Sequence, residues 1–304
     1  MNTRPNREHT KEYQCRLCKS ANVALIRETN VTRTLESANF RITDSSYGHM
    51  LSIFECRDCG FLQCLDAPDT TKYYRSLEDA DYETGRNERI YQSRRILEKI
   101  KRSMGKEARG MRLLDIGAGS GILLEAASEL GFNAEGVEPS DWLRSVAHSH
   151  GCTIKADIIP HPDVTGPYDI VTIIDVIEHV SAPYELIEDA IGLLKPGGII
   201  AVVTPDVNSL AARIMGWKWW HYRIAHIGYF TRANLTYLFD KLGIKIVSIS
   251  RPSWSFSIAY IRDRLVRYVP SSLVLSERQW MNRMRINLNL FDSLMLVGKF
   301  PGRQ

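Results

Sequence analysis

The sequence predicts an α/β fold, an open and mostly parallel sheet with helices on both faces, placed behind a small cysteine-rich N-terminal module. Three observations predict it. The run Leu113-Leu114-Asp115-Ile116-Gly117-Ala118-Gly119-Ser120-Gly121 reads as a buried strand that turns tightly into a helix beginning at Ile122. Apolar strands and helical patterns alternate after it, as βαβ units do. Ahead of it stand two Cys-x-x-Cys pairs, Cys15/Cys18 and Cys56/Cys59.

The elements follow in order. Asn133–Val137 reads as a second strand ending in Glu138, 17 residues past Gly121, and Glu138-Pro139-Ser140 opens a helix with Asp141 in its first turn. A third short strand ends at Ala156-Asp157-Ile158. Tyr168–Ile174 is continuously apolar, as a central parallel strand is, and runs into Asp175. Leu194-Lys195-Pro196-Gly197-Gly198 stops a helix, and the strand Ile199–Thr204 follows. Lys245–Ser250 and Ser293–Phe300 read as the last two strands.

The glycine spacing selects the ligand. A dinucleotide fingerprint needs a glycine three places after the second one, and Ile122 stands there. The pattern Asp-x-Gly-x-Gly-x-Gly instead resembles motif I of class I S-adenosylmethionine (SAM)-dependent methyltransferases. That resemblance implies a Rossmann-like seven-stranded sheet whose last strand is antiparallel. It assigns SAM contact to Asp115, Gly117, Ala118, Gly119 and Gly121, to Glu138 and Pro139, to Asp157 and Ile158, and to Asp175.

Composition sets bounds. With 44% hydrophobic and 24% charged residues the chain is an ordinary globular protein. No apolar run has the length of a membrane span, and the polar N-terminus lacks a signal-peptide core, so a cytoplasmic location is the expectation. The charge is uneven. Residues 251–304 hold nine Arg or Lys against three acids, which leaves residues 1–250 slightly acidic. A basic nucleic-acid-binding body is not indicated.

The cysteine pairs are separated by 37 intervening residues and supply four thiolates, the donor set of a tetrahedral Zn2+. Gly60 permits the positive φ that often closes such a knuckle. Disulfides and a redox dithiol are the competing readings. The module also resembles zinc ribbons found ahead of SAM methyltransferases in glycan and natural-product pathways, with Val23–Arg27 and Leu51–Glu55 as strands. A four-cysteine zinc would be structural. Cys64 and Cys152 read as buried small hydrophobes. The expected organisation is a ribbon over 1–75, a linker helix region over 76–110 containing a helix at 86–104, and the methyltransferase domain over 111–304 with an insertion at about 251–290.

The segment after Tyr168–Ile174 faces the methyl group in such a fold, and here it reads Asp175-Val176-Ile177-Glu178-His179-Val180. His179 is one candidate general base; supporting the loop is the other reading. Asp175, Glu178 and His179 also resemble the Glu-x-x-Glu-His pattern of ubiquinone-type O-methyltransferases, which implies a divalent cation there. His226 is the second candidate base. The aromatic run Trp217-Lys218-Trp219-Trp220-His221-Tyr222-Arg223 would stack on a sugar or pack as a lid on itself. In the insertion, Ile258, Ile261, Leu265 and Val269 form a helical stripe beside Arg262, Arg264 and Arg267, suited to a peripheral membrane contact through 255–287 or to packing on its own domain.

The function expected is methyl transfer to a hydroxyl of a saccharide or saccharide-lipid precursor. Two alternatives stand beside it: RNA methylation, which the absence of base-methylation signatures argues against, and a non-catalytic SAM- or zinc-binding module. The sequence does not specify an oligomeric state.

Overall fold

The computed structural model describes residues 13–44, 46–105, 107–265 and 278–302. The N-terminal part contributes β1 (Val23–Arg27), β2 (Ile53–Cys56) and β3 (Leu62–Gln63), then α1 (Thr71–Arg75), α2 (Ala80–Thr84) and the long α3 (Arg86–Met104). The main body follows as β4 (Arg112–Ile116), α4 (Ile122–Glu129), β5 (Asn133–Val137), α5 (Asp141–Ser149), β6 (Ile154–Ala156), β7 (Tyr168–Ile174), α6 (Pro183–Gly192) and β8 (Leu194–Pro205). Next come α7 (Leu210–Met215), β9 (Gly228–Tyr229), α8 (Arg232–Lys241) and β10 (Lys245–Ser250). The chain closes with β11 (Trp254–Ser257), α9 (Ile258–Leu265), α10 (Gln279–Arg283), β12 (Arg285–Leu288) and β13 (Ser293–Lys299).

Seven strands form the main sheet in the order β10-β13-β8-β7-β4-β5-β6. Only β13 runs against its neighbours, pairing antiparallel with both β8 and β10. The order reverses between β4 and β7, and the crevice beyond the carboxyl ends of strands at such a switch point is where α/β sheets bind ligands.

Strand alternation builds two cores. On one face Leu114, Val171, Ile173, Ile200 and Val202 pack with Ile187 of α6 and Leu235, Leu238 and Phe239 of α8. On the other, Leu113, Ile170, Ala201 and Val203 meet Ile96, Leu97 and Ile100 of α3 and Leu123 of α4. Each fully buried Leu or Ile contributes about 1.5–3 kcal/mol, and truncating Leu97 to Ala costs about 2–5 kcal/mol.

Three features differ from expectation. Pairing in β8 begins at Leu194, opposite Tyr168, rather than at Ile199. The insertion contains a two-stranded antiparallel sheet, β11 against β12, in the register Trp254↔Leu288 to Ser257↔Arg285. Its sequences, Ser-Trp-Ser-Phe-Ser and Arg-Ile-Asn-Leu-Asn, alternate with strand period. The helical stripe is described only as far as α9; Val269 and Arg267 lie outside the described residues. Finally, the expected ribbon does not form a separate sheet. Its three strands continue into β9 in the order β1-β2-β3-β9, so residues far apart in the chain share one sheet. No described helix is long and apolar enough to cross a membrane.

Candidate active site

The loop after β4 is built for close approach. Gly117, Gly119 and Gly121 have φ of +77°, +54° and +78°, which L side chains rarely adopt. A Cβ on Gly117 would sit 2.3 Å from Val176 Cγ2. The amides of Gly117 and Ala118 both donate to Val137 O at 2.9 Å, tying the loop to the end of β5. There Glu138 takes over: its Oε2 accepts from Gly119 N (2.9 Å) and its Oε1 from Ser140 N (2.8 Å). Asp115 accepts from Thr172 Oγ1 at 2.6 Å. Burial pushes both carboxyls up to about 7; at Glu138 the two amides and Arg144 oppose that shift.

These groups wall a cavity of about 1010 Å3. That is the upper end of the range for one small-ligand site, and it leaves room for two ligands side by side. Of the residues assigned to SAM, Asp115, Gly117, Ala118, Gly119 and Glu138 line it, as do Pro139, Asp157, Ile158 and Asp175. Gly121 stands behind the wall, where a Cβ would meet Cys152 Sγ at 2.7 Å. Asp157 is held by Arg75 of α1 at 2.8 Å, which keeps its carboxyl below the ordinary range although desolvation opposes this. Arg75 carried no signal in the sequence. The loop is covered by α2 and α3: Arg86 pairs with Glu83 (2.9 Å) and Glu125 (2.7 Å), and Arg89 stacks over Tyr82 at 4.3 Å.

At the far side of the cavity three histidines converge. His179 and His226 meet edge to face with ring centroids 4.7 Å apart, and His221 stacks on His226 at 5.6 Å. His179 Nδ1 is 2.8 Å from Ala225 O and 2.7 Å from Tyr74 Oη. A carbonyl can only accept, so Nδ1 carries the proton and Nε2 keeps its lone pair. Burial holds both candidate bases neutral: His179 falls to about 3, and His226 falls well below its ordinary value, with His179 and Arg223 adding to the effect.

The expected cation trio is corrected. Donor atoms of Glu178, His179 and His226 lie within 4.8 Å of one another, and Asp175 is not among them. Asp175 sits in a left-handed turn (φ +52°), and its carboxyl lies in the field of Asp292 and Arg89. His226 takes its place because Ile227 N donates to Glu178 O at 2.8 Å, which brings the 226–229 segment across. Glu178 Oε2 accepts from Thr204 Oγ1 at 2.8 Å, while its buried Oε1 has no partner from another residue. One carboxylate and two neutral imidazoles suit Zn2+ or a similar transition ion.

The aromatic run packs on itself. Trp219 and Tyr222 are buried with Met50, Ile53, Cys64 and Tyr229, and Trp220 Nε1 donates to Asp292 at 3.0 Å. Burial removes Trp219 and Tyr222 as faces for a sugar. Trp217 is the outermost ring and lies under Arg27. Arg223 is buried at the cavity wall and donates to the carbonyls of Arg41 and Ile42.

A second donor cluster lies in the N-terminal part, where a zinc ribbon is expected. Cys15 and Cys59 sulfurs are 3.6 Å apart, Cys18 and Cys56 sulfurs 3.5 Å, and all four lie within 4.8 Å of one another. A tetrahedral zinc with sulfurs at about 2.3 Å needs them roughly 3.8 Å apart, so this cage fits Zn2+. The two knuckles match: Lys19 N donates to Cys15 O and Gly60 N to Cys56 O, and both residues have positive φ.

Comparison with known proteins gives the following. A family model described as a methyltransferase domain matches residues 88–249. The ubiquinone biosynthesis O-methyltransferase of Caulobacter vibrioides is 38% identical over 103 residues, covering 31% of this chain and 41% of that protein. The protein of the same name from Cereibacter sphaeroides is 33% identical over 183 residues, covering 54% and 74%. The chain thus spans about two fifths of the length of the Caulobacter relative. The structure of magnesium protoporphyrin IX methyltransferase from Synechocystis PCC 6803 aligns at 14% identity over 76% of this chain and 98% of that one, with a TM-score of 0.48.

Proposed function

Because the chain belongs to the methyltransferase-domain family, we propose that it is a SAM-dependent methyltransferase acting on a hydroxyl of a small acceptor, a saccharide or saccharide-lipid precursor. The observation that carries the reading is Glu138. A buried acid at the end of β5 holds the glycine loop at the end of β4 and faces the same cavity.

In this reading the loop of Gly117–Gly119, with Asp115, holds the amino-acid end of SAM. Glu138 takes the ribose hydroxyls on its remaining lone pairs, and Asp157 with Ile158 frames the adenine. SAM itself supplies an electrophilic sulfonium methyl. The chain's remaining work is to aim the acceptor oxygen and accept its proton. His179 Nε2 is the proton acceptor, its tautomer set by Ala225 O; His226 is the second candidate. The saccharide class draws support from the polar far wall, where His179, His221, Arg223 and Glu178 offer the mixed donors and acceptors that a polyol presents in return.

The orphaned Oε1 of Glu178 favours a second reading of the same wall. Glu178, His179 and His226 would hold a divalent cation, which would lower the acceptor hydroxyl's pKa in place of a protein base. In either reading the ribbon cysteines hold a structural Zn2+.

The test is transfer of a labelled methyl group from SAM to a panel of acceptors: free and nucleotide-linked sugars, lipid-linked sugars, dihydroxy aromatics and RNA. The reading expects label on a sugar hydroxyl, insensitive to nuclease. Label on an aromatic hydroxyl alone would remove the saccharide class, and label on RNA or on nothing would remove the proposal. Added chelator and Zn2+ or Mg2+ then separate base from cation.

A further inference from the structure

We propose that the cysteine ribbon is a positioning element for His226, so that Zn2+ at the knuckles governs use of the acceptor while leaving SAM binding intact. The proposal rests on the methyl-transfer reading and concerns the route by which His226 is held.

That route combines two side-chain anchors with main-chain pairing. The first knuckle is fastened to β3 by Gln63, a fully buried side chain whose Oε1 accepts from Arg16 N at 2.9 Å. The second knuckle is fastened to α8, where Asn234 Nδ2 donates to Cys59 O at 2.9 Å. Between these anchors β3 pairs with β9, Gln63 opposite Gly228 and Leu62 opposite Tyr229. The next residue, Cys64, donates its amide to Ile227 O at 2.8 Å. Thus the residue directly after His226 is bonded on one side to Glu178 O and on the other to the ribbon.

The geometry has little slack. Both strands of the β3–β9 pair are two residues long, too short to persist without anchors at their ends. Phe61 packs on Phe230 with centroids 4.8 Å apart, and a Cβ on Gly228 would lie 3.2 Å from Phe61. Zinc ligation supplies folding energy to small modules of this kind. Its loss would release β3 and with it the bond from Cys64 N to Ile227 O, which ties the residue after His226 to the ribbon. The loop of Gly117–Gly119 and Glu138 is anchored instead by Val137, Ser140 and Gly119 within the main sheet.

The experiment compares the full chain before and after zinc removal by chelator, and compares Gln63→Leu with Gln63→Glu, which keeps the acceptor oxygen. Three quantities are read: hydrogen exchange at the Cys64 amide, SAM affinity by calorimetry, and the split of kcat from acceptor KM. The proposal expects zinc removal and Gln63→Leu to speed exchange at Cys64 and lower kcat about tenfold or more. It expects SAM affinity to change less than about threefold, and Gln63→Glu to recover most of the lost kcat. Unchanged exchange at Cys64, or SAM affinity that falls in parallel with kcat, would overturn it. A zinc-replete chain that fails to bind SAM would refute the methyltransferase reading instead, and the exchange data would still decide whether the ribbon holds the His226 segment.

Discussion

Glu138 Oε2 accepts a hydrogen bond from the backbone N–H of Gly119 at 2.9 Å. One carboxylate therefore holds the glycine loop in shape and presents its remaining lone pairs to the cavity. Its second oxygen is held by Ser140 N, so the side chain is fixed before any ligand arrives. Preorganisation of this kind lowers the cost of binding.

Replacing Glu138 by Ala removes the loop anchor and, in the proposed reading, the acceptor for a ribose. A hydrogen bond to a charged group contributes about 1.5–3 kcal/mol, so SAM affinity is expected to fall roughly 10- to 100-fold, with the Tm of the ligand-free chain changing less than the affinity. Equilibrium binding on the purified variant checks this.

The closeness of Gly117 to Val176 makes a second prediction. Gly117→Ala places a Cβ 2.3 Å from Val176 Cγ2 at φ +77° and is expected to destabilise the chain by about 2–4 kcal/mol. Adding Val176→Ala removes the clash and leaves the backbone strain, so the double variant is expected to recover about half of the loss. A denaturant-unfolding cycle measures the coupling.

Asp115 and Glu138 give a pH dependence. Burial raises both from 3.8 and 4.5 to about 7. Between those limits the folded chain keeps protons that the unfolded chain has released, so stability is greatest below pH 4 to 4.5 from these groups and is lost as pH rises through about 7. These two carboxyls pull the Tm of the ligand-free chain down across that window while the buried neutral His179 and His226 act in the opposite direction, so the quantity read is the difference between the wild-type chain and Glu138→Gln, which is expected to lose less Tm as pH rises. A series of thermal melts on both chains tests this.

For the ribbon, the sulfur cage predicts one Zn2+ per chain. Cys56→Ser is expected to release it and lower the Tm by several degrees, about 5 °C or more. Metal analysis with parallel melts checks this; a metal-free wild-type chain with an unchanged Tm would contradict it.

Much of this arrangement was legible in the residues. The glycine run, the acid of Glu138, the long basic helix and both knuckles each carry a local pattern, and the folded chain has an element at each. What escaped depends on distance or on burial. The β3–β9 pair is too short to show a period. Tyr74 reaches His179 across 105 residues, and nothing in either neighbourhood marks the meeting. Arg75 is one of many surface cations until Asp157 is placed opposite it. The aromatic run Trp217–Tyr222 has the same composition whether it faces a sugar or its own core, and only packing decides. The β11–β12 pair leaves a trace in its alternating residues, but the helical stripe beside it is the stronger signal.

The proposed function stands or falls with SAM binding in the cavity bounded by the glycine loop and Glu138. Calorimetric titration of the purified chain with SAM, followed by competition with S-adenosylhomocysteine and with NAD, tests it most directly. Saturable binding at one site per chain is expected, displaced by S-adenosylhomocysteine and indifferent to NAD. No saturable binding of SAM, or its displacement by NAD, would contradict it.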